Sequence, residues 1–120
     1  MNGKKKILIA DDDPAIADAM QMILENDGYA VDKMSDVEAI IKIDNNLPDL
    51  ILLDFWMLGM DGWDICKSLK KQKSTKHIPI IMISAHENTK KIASEAGADG
   101  YLTKPFDMND LLKKVKLHIK

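Results

Sequence analysis

Two spacings of apolar positions alternate along the chain. Short runs rich in apolar and β-branched residues occur at KKILIA (5–10), YAVDK (29–33), DLILLD (49–54), IPIIMIS (78–84) and DGYLT (99–103), and each reads as a strand. Between them the apolar residues recur at the intervals that line one face of a helix. Asp13 is expected to cap the first helix and Pro14 to open it, since proline at that position forfeits no internal hydrogen bond; Ile16, Met20, Ile23 and Leu24 then share a face, and Gly28 ends the turn. Ser35 and Glu38 have the spacing of a capping box for a second helix, with Val37, Ile40 and Ile41 facing inward and Pro48 closing the loop that follows. GWDICKSLKKQ predicts a third helix packed through Trp63, Ile65, Cys66 and Leu69, and NTKKIASEAGA a short fourth that stops near Gly97. Asp107 caps the fifth, whose buried stripe is Leu111, Leu112, Val115 and Ile119.

Strands alternating with helices predict a parallel sheet covered on both faces. The strands ending at Ala10, Asp54 and Ser84 are apolar on both sides, as central strands must be, whereas YAVDK mixes charge with apolar groups and suits an edge. Right-handed crossovers bring all the carboxyl-terminal strand ends to one rim, where open α/β sheets place their sites.

Composition narrows the function classes. At 120 residues with 46% hydrophobic content, residues 1–120 are expected to form one domain. A net charge of −2, from 19 acidic and 17 basic residues, calls for neither nucleic acid nor a membrane surface, and the basic run KSLKKQKSTK lacks the interleaved aromatics of a nucleic-acid interface. The apolar runs are short and broken by aspartate, and MNGKKKILIA lacks the features of a secretion signal, so a cytoplasmic location is expected. The lone cysteine, Cys66, reads as a small buried apolar group, and His77, His86 and His118 lack metal-site spacing.

The predicted rim gathers the chemistry. Asp11 and Asp12 follow the first strand, Asp54 ends the third, Ser84 ends the fourth, and Lys104, Pro105 and Phe106 follow the fifth. Carboxylates that converge without a cation raise one another's pKa and oppose the compact state. A hard divalent ion such as Mg2+ offsets this, since it takes carboxylate and carbonyl oxygens and keeps positions open for a phosphoryl group. Lys104 can pair with a carboxylate or a phosphoryl oxygen, and Ser84 can donate to another.

The fragments ADDD, LLDFWM followed by DG, ISA and LTKPF, in this order over the whole chain, resemble the receiver domains of bacterial two-component response regulators. The resemblance implies a flavodoxin-like (βα)5 three-layer sandwich with a parallel sheet of order 2-1-3-4-5. It implies that Asp54 accepts a phosphoryl group from a sensor histidine kinase or histidine phosphotransfer protein. Asp11, Asp12 and Asp54 would hold Mg2+, or Mn2+ in its place, together with the backbone carbonyl of Trp56. Ser84 would be the switch hydroxyl, Lys104 the lysine that grips the phosphoryl group, and Tyr101 the aromatic switch residue. Output would pass through the face of helix four, strand five and helix five to a downstream protein, with a weak homodimer left open. On this reading the chain phosphorylates and dephosphorylates itself rather than turning over an external substrate. Leu58 stands where many receivers have proline, and Trp56 and His86 occupy positions near the approach of attacking water, so the phosphoryl lifetime is not set by the resemblance.

Other classes lack their motifs. A P-loop hydrolase needs a glycine-rich turn ending in Lys-Ser/Thr, and a dinucleotide-binding fold needs glycines where Asp11 to Asp13 stand. The alternative left open is a protein-interaction module with this fold that works without phosphorylation.

Overall fold

The computed structural model describes residues 3–43, 45–57, 60–85 and 87–119, with the backbone alone at Val37, Trp56, Met57, Met60 and Asp61. In chain order the elements are β1 (Lys6–Ala10), α1 (Pro14–Asn26), β2 (Ala30–Met34), α2 (Val37–Ile41), β3 (Leu50–Asp54), β4 (Trp56–Met57), β5 (Met60–Asp61), α3 (Gly62–Lys71), β6 (Ile80–Ser84), α4 (Thr89–Ala96), β7 (Gly100–Thr103) and α5 (Met108–His118). Five strands pair in parallel in the order β2-β1-β3-β6-β7. Counting only these strands, that is the expected 2-1-3-4-5 order. β4 and β5 form a small antiparallel ribbon that the apolar pattern did not predict, because a strand of two residues has no period to read.

Alternation along each central strand divides the core in two. Leu8, Ala10, Ile51, Leu53, Ile80 and Met82 face Ile40 of α2, Ile65, Cys66 and Leu69 of α3, and Ala93 and Ala96 of α4. Ile7, Ile9, Leu50, Leu52, Ile81 and Ile83 face Ala17, Met20 and Leu24 of α1 and Leu111 and Val115 of α5. Burial on both faces accounts for the unbroken apolar runs of β1, β3 and β6 and for the charged β2 at an edge. Cys66 lies within the first cluster, and burial pushes its thiol up to about 11, consistent with an apolar packing role.

Several helix ends follow the expected chemistry. The Asp13 carboxylate accepts from the amides of Ala15 and Ile16 at 3.0 and 3.3 Å, with Pro14 opening the helix. Gly97 ends α4 at φ +86°, and Asp107 and Asp110 form a reciprocal capping box at the start of α5. The second helix corrects its expectation. α2 begins at Val37, so the capping position falls on Asp36, whose carboxylate accepts from the amides of Glu38 and Ala39 at 3.0 and 3.5 Å. Ser35 lies one residue too early to reach them, and Glu38 sits too close to the cap to complete the box.

At the amino-terminal rim, β3, β6 and β7 begin one or two residues later than the apolar runs. Asp49 and Asp99, which precede β3 and β7, hold the neighbouring strands with their side chains as well as their backbones. The Asp49 carboxylate accepts from the Lys6 amide at 2.8 Å while its own amide donates to the Lys6 carbonyl at 2.7 Å. Asp99 does the same with Ile80, at 2.8 Å in each direction, and also accepts from the Lys70 ammonium at 2.7 Å.

Candidate phosphoacceptor and metal site

β1 and β3 are adjacent and parallel, with Ala10 opposite Leu53. The next residues, Asp11 just past β1 and Asp54 at the end of β3, therefore stand side by side. One oxygen from each of Asp11, Asp12 and Asp54 lies within 4.8 Å of the others. Asp11 and Asp54 are buried and Asp12 is half-buried. The Asp11 Oδ1 atom accepts from the Asp13 amide at 2.9 Å, a bond that follows from Asp13 turning into its capping position. Its Oδ2 atom is buried and has no partner among the described residues. A desolvated carboxylate oxygen is costly without a donor or cation beside it, which suits this oxygen to ligate a cation.

Among the described residues, Lys104 is the positive group paired with the cluster. Its ammonium lies 3.3 Å from Asp54 Oδ1, and its backbone amide donates to the Ser84 carbonyl at 2.8 Å, so β6 and β7 jointly fix where the side chain starts. The Lys104–Pro105 peptide bond is cis. One cation does not balance the carboxylates. Burial, followed by the adjacent Asp11 charge, pushes the Asp54 carboxyl up to about 6 despite Lys104. Burial likewise raises Asp11, and the Asp13 amide and Lys104 oppose it.

Ser84 ends β6 on the same rim, 3% exposed and paired in register with Thr103. Tyr101 is not in the acidic cluster. It lies opposite Met82 on the edge strand β7, half-buried, with the Lys114 ammonium of α5 4.8 Å from its ring centroid. The Trp56 backbone lies in β4, two residues beyond Asp54, and Phe55 between them donates to the Ile83 carbonyl at 2.8 Å. Leu58 and His86, whose departures from the common pattern were noted in the sequence, lie outside the described residues, as does the Trp56 side chain. The DG dipeptide that follows LLDFWM also contributes here: the Gly62 amide donates to the Phe55 carbonyl and closes the loop that carries β4 and β5. That β3 and α3 meet so closely was not legible from composition or spacing.

Two clefts flank the cluster. One, of about 180 Å3, is lined by Asp11, Asp12, Asp18 and Lys33 among others; a second, of about 440 Å3, is lined by Ile16, Ala85, Lys104, Pro105 and Phe106. Among the described residues no helix is long and apolar enough to cross a membrane.

Comparison with known proteins gives one family. Residues 7–116 match the response regulator receiver domain. The chain is 42% identical over 115 residues to the alkaline phosphatase synthesis transcriptional regulatory protein PhoP of Bacillus subtilis, covering 93% of this chain and 47% of that protein. It is 32% identical over 120 residues to the DNA-binding response regulator MtrA of Mycolicibacterium smegmatis, covering 98% of this chain and 51% of that protein. The chain thus spans about half the length of these relatives. Among solved structures, a putative response regulator from Chloroflexus aurantiacus superposes with a TM-score of 0.89 at 35% identity, covering 95% of this chain and 96% of that one. The chemotaxis response regulator CheY4 of Vibrio cholerae does so with a TM-score of 0.88 at 29% identity, covering 97% and 99%. The sheet order, the acidic rim and these likenesses agree, and the chain belongs to the response regulator receiver domain family.

Proposed function

We propose that Asp54 accepts a phosphoryl group from a histidine kinase or phosphotransfer protein, and that Asp11, Asp12, Asp54 and the Trp56 carbonyl hold the Mg2+ ion this requires. The observation that carries the reading is the convergence of three carboxylates, with a buried oxygen of Asp11 that has no partner among the described residues. This donor set suits a hard, oxygen-seeking ion such as Mg2+ or Mn2+. When bound, the ion would offset the charge of the carboxylates and of the incoming phosphoryl oxygens.

The protein's own groups then have definite tasks. The ionised Asp54 carboxylate can attack phosphorus; an oxygen–phosphorus bond forms as the bond to the donor breaks. Lys104, already against Asp54, pairs with a phosphoryl oxygen, and Ser84 donates its hydroxyl to another. The resulting acyl phosphate is open to hydrolysis, which makes it a timed mark. Movement of Ser84 toward the phosphoryl group opens space beside β6 for Tyr101, and the α4–β7–α5 face changes for a downstream protein.

The test is exposure to a small phosphodonor with Mg2+, read by intact-protein mass spectrometry. The expected product carries one phosphoryl group, absent without the metal and absent in Asp54→Asn. Equal modification of Asp54→Asn would refute the assignment. No modification of the parent by either a small donor or a kinase would favour a binding module that works without phosphorylation.

A further inference from the structure

We propose that Gly62 is a positioning residue for the phosphoacceptor site: the absence of a side chain there lets α3 press directly against the backbone of Asp54 and Phe55 and so sets where the Asp54 carboxylate and the Trp56 carbonyl stand. The inference rests on the reading of Asp54 as phosphoacceptor.

The glycines differ in why they are glycine. Gly28 and Gly97 adopt φ of +97° and +86°, which disfavours other residues, yet a Cβ at Gly28 would meet nothing within 4 Å and one at Gly97 only a lysine methylene at 3.8 Å. Gly62 is the reverse case. It is the first residue of α3 and has no positive φ, so its backbone conformation is open to any residue. A Cβ there would lie 2.7 Å from the Asp54 carbonyl oxygen, 2.9 Å from the Phe55 Cα and 3.2 Å from the Phe55 carbonyl oxygen. All three are backbone atoms. At Gly100, by contrast, the close atoms belong to the His118 imidazole, which can turn aside.

The space cannot be made without moving the site. The closest approach is about 0.7 Å short of the 3.4 Å at which ordinary contact begins. The strand side is pinned, because Asp54 pairs with Ile83 and the Phe55 amide donates to the Ile83 carbonyl at 2.8 Å. The helix side is pinned by Ile65, Cys66 and Leu69, all fully buried. With both sides held, the strain falls on the backbone of Asp54 and Phe55 and on the chain leading into β4. That segment carries the Asp54 carboxylate at one end and the route to Trp56 at the other. Displacements of this size are small for folding and large for an ion that demands near-octahedral geometry or for in-line attack on phosphorus.

The experiment compares the parent, Gly62→Ala and Gly97→Ala, the last being a strained glycine replacement distant from the rim. Mg2+ titration followed by backbone amide NMR gives the metal midpoint of the folded molecules; phosphodonor kinetics at saturating Mg2+ gives the transfer rate. For Gly62→Ala we expect a midpoint weakened about tenfold or more and a transfer rate reduced by at least about tenfold, with both parent-like in Gly97→Ala. A folded Gly62→Ala with the parent's midpoint and rate overturns the proposal, as does an equal loss in Gly97→Ala. If Gly62→Ala does not fold, the parent decides: Mg2+ saturation should slow exchange of the Gly62 amide, which donates to Phe55, and an unchanged rate there overturns the proposal. A parent that binds Mg2+ at this site but takes up no phosphoryl group refutes the Asp54 reading and leaves the metal half of the Gly62 test standing.

Discussion

Replacing Asp54 by asparagine removes one negative charge from a place where the protein holds it at a cost, and the metal-free molecule should become more stable at neutral pH. The Asp54 carboxyl titrates at about 6 in the folded protein against an ordinary value of 3.8, a gap of about 2 units. At 1.36 kcal/mol per unit this amounts to about 3 kcal/mol, with little solvent discount because the side chain is only 10% exposed. Asparagine keeps the volume and an acceptor for Lys104 but brings an amide that must find a partner, so the expected net gain is about 1–2 kcal/mol. The sign reverses the usual case of a paired aspartate. The folded state binds this proton more tightly than the unfolded chain, so the parent's stability from this group is intact below 3.8 and is lost as pH rises through about 6. The gain of Asp54→Asn should therefore be absent near pH 3.5 and complete above about pH 7. Urea unfolding in the presence of a chelator, followed by far-ultraviolet circular dichroism at both pH values, measures it. A variant less stable than the parent at neutral pH, or an equal gain at both pH values, would refute the reasoning. Added Mg2+ should stabilise the parent and close the gap, because an ion that binds only the folded state adds its binding free energy to stability.

Two further expectations follow from the same geometry. Lys104→Met takes away the cation 3.3 Å from Asp54, so the carboxyl should titrate above about 6 and the metal-free protein should lose about 1–2 kcal/mol at neutral pH; carboxyl-carbon NMR titration and urea unfolding report the two effects. Asp107→Ala removes the α5 cap and should cost about 1 kcal/mol by thermal unfolding while leaving the Mg2+ midpoint unchanged, since the cap takes no part in the acidic cluster.

The strands and the rim were legible because burial on both faces forces near-continuous apolar runs, and because the aspartates and Lys104 break those runs at their ends. Asp13 with Pro14, Gly97 and Asp107 could likewise be read as helix ends, since each has a local chemical reason for its place. Ser35 and Asp36 are adjacent residues able to cap, and only the turn of the backbone decides between them. The late starts of β3 and β7 were hidden for a related reason: Asp49 and Asp99 pair like strand residues through their backbones, but their side chains also replace the next ladder bond. Gly62 opens the fragment read as the third helix, and the closeness of α3 to β3 is a tertiary distance that no local spacing encodes. The sequence places Tyr101 three residues before Lys104, yet on the edge strand this sets it back from the acidic residues and within reach of Lys114.

The aspartates at the two ends of the sheet have opposite effects. At the carboxyl-terminal end they face one another, while Asp49 and Asp99 at the other end are each satisfied by an amide of the neighbouring strand. The sheet resembles a hand fan riveted at its base. Strand order and register are held at the end opposite the acidic cluster, so the charge at the other end acts on strands that cannot slip past one another. A slip of one residue would turn every core side chain to the wrong face, and the rivets guard against it while the tips carry charge that pushes them apart. Cutting a rivet, as in Asp49→Ala or Asp99→Ala, would therefore loosen the acidic end from the far side of the molecule.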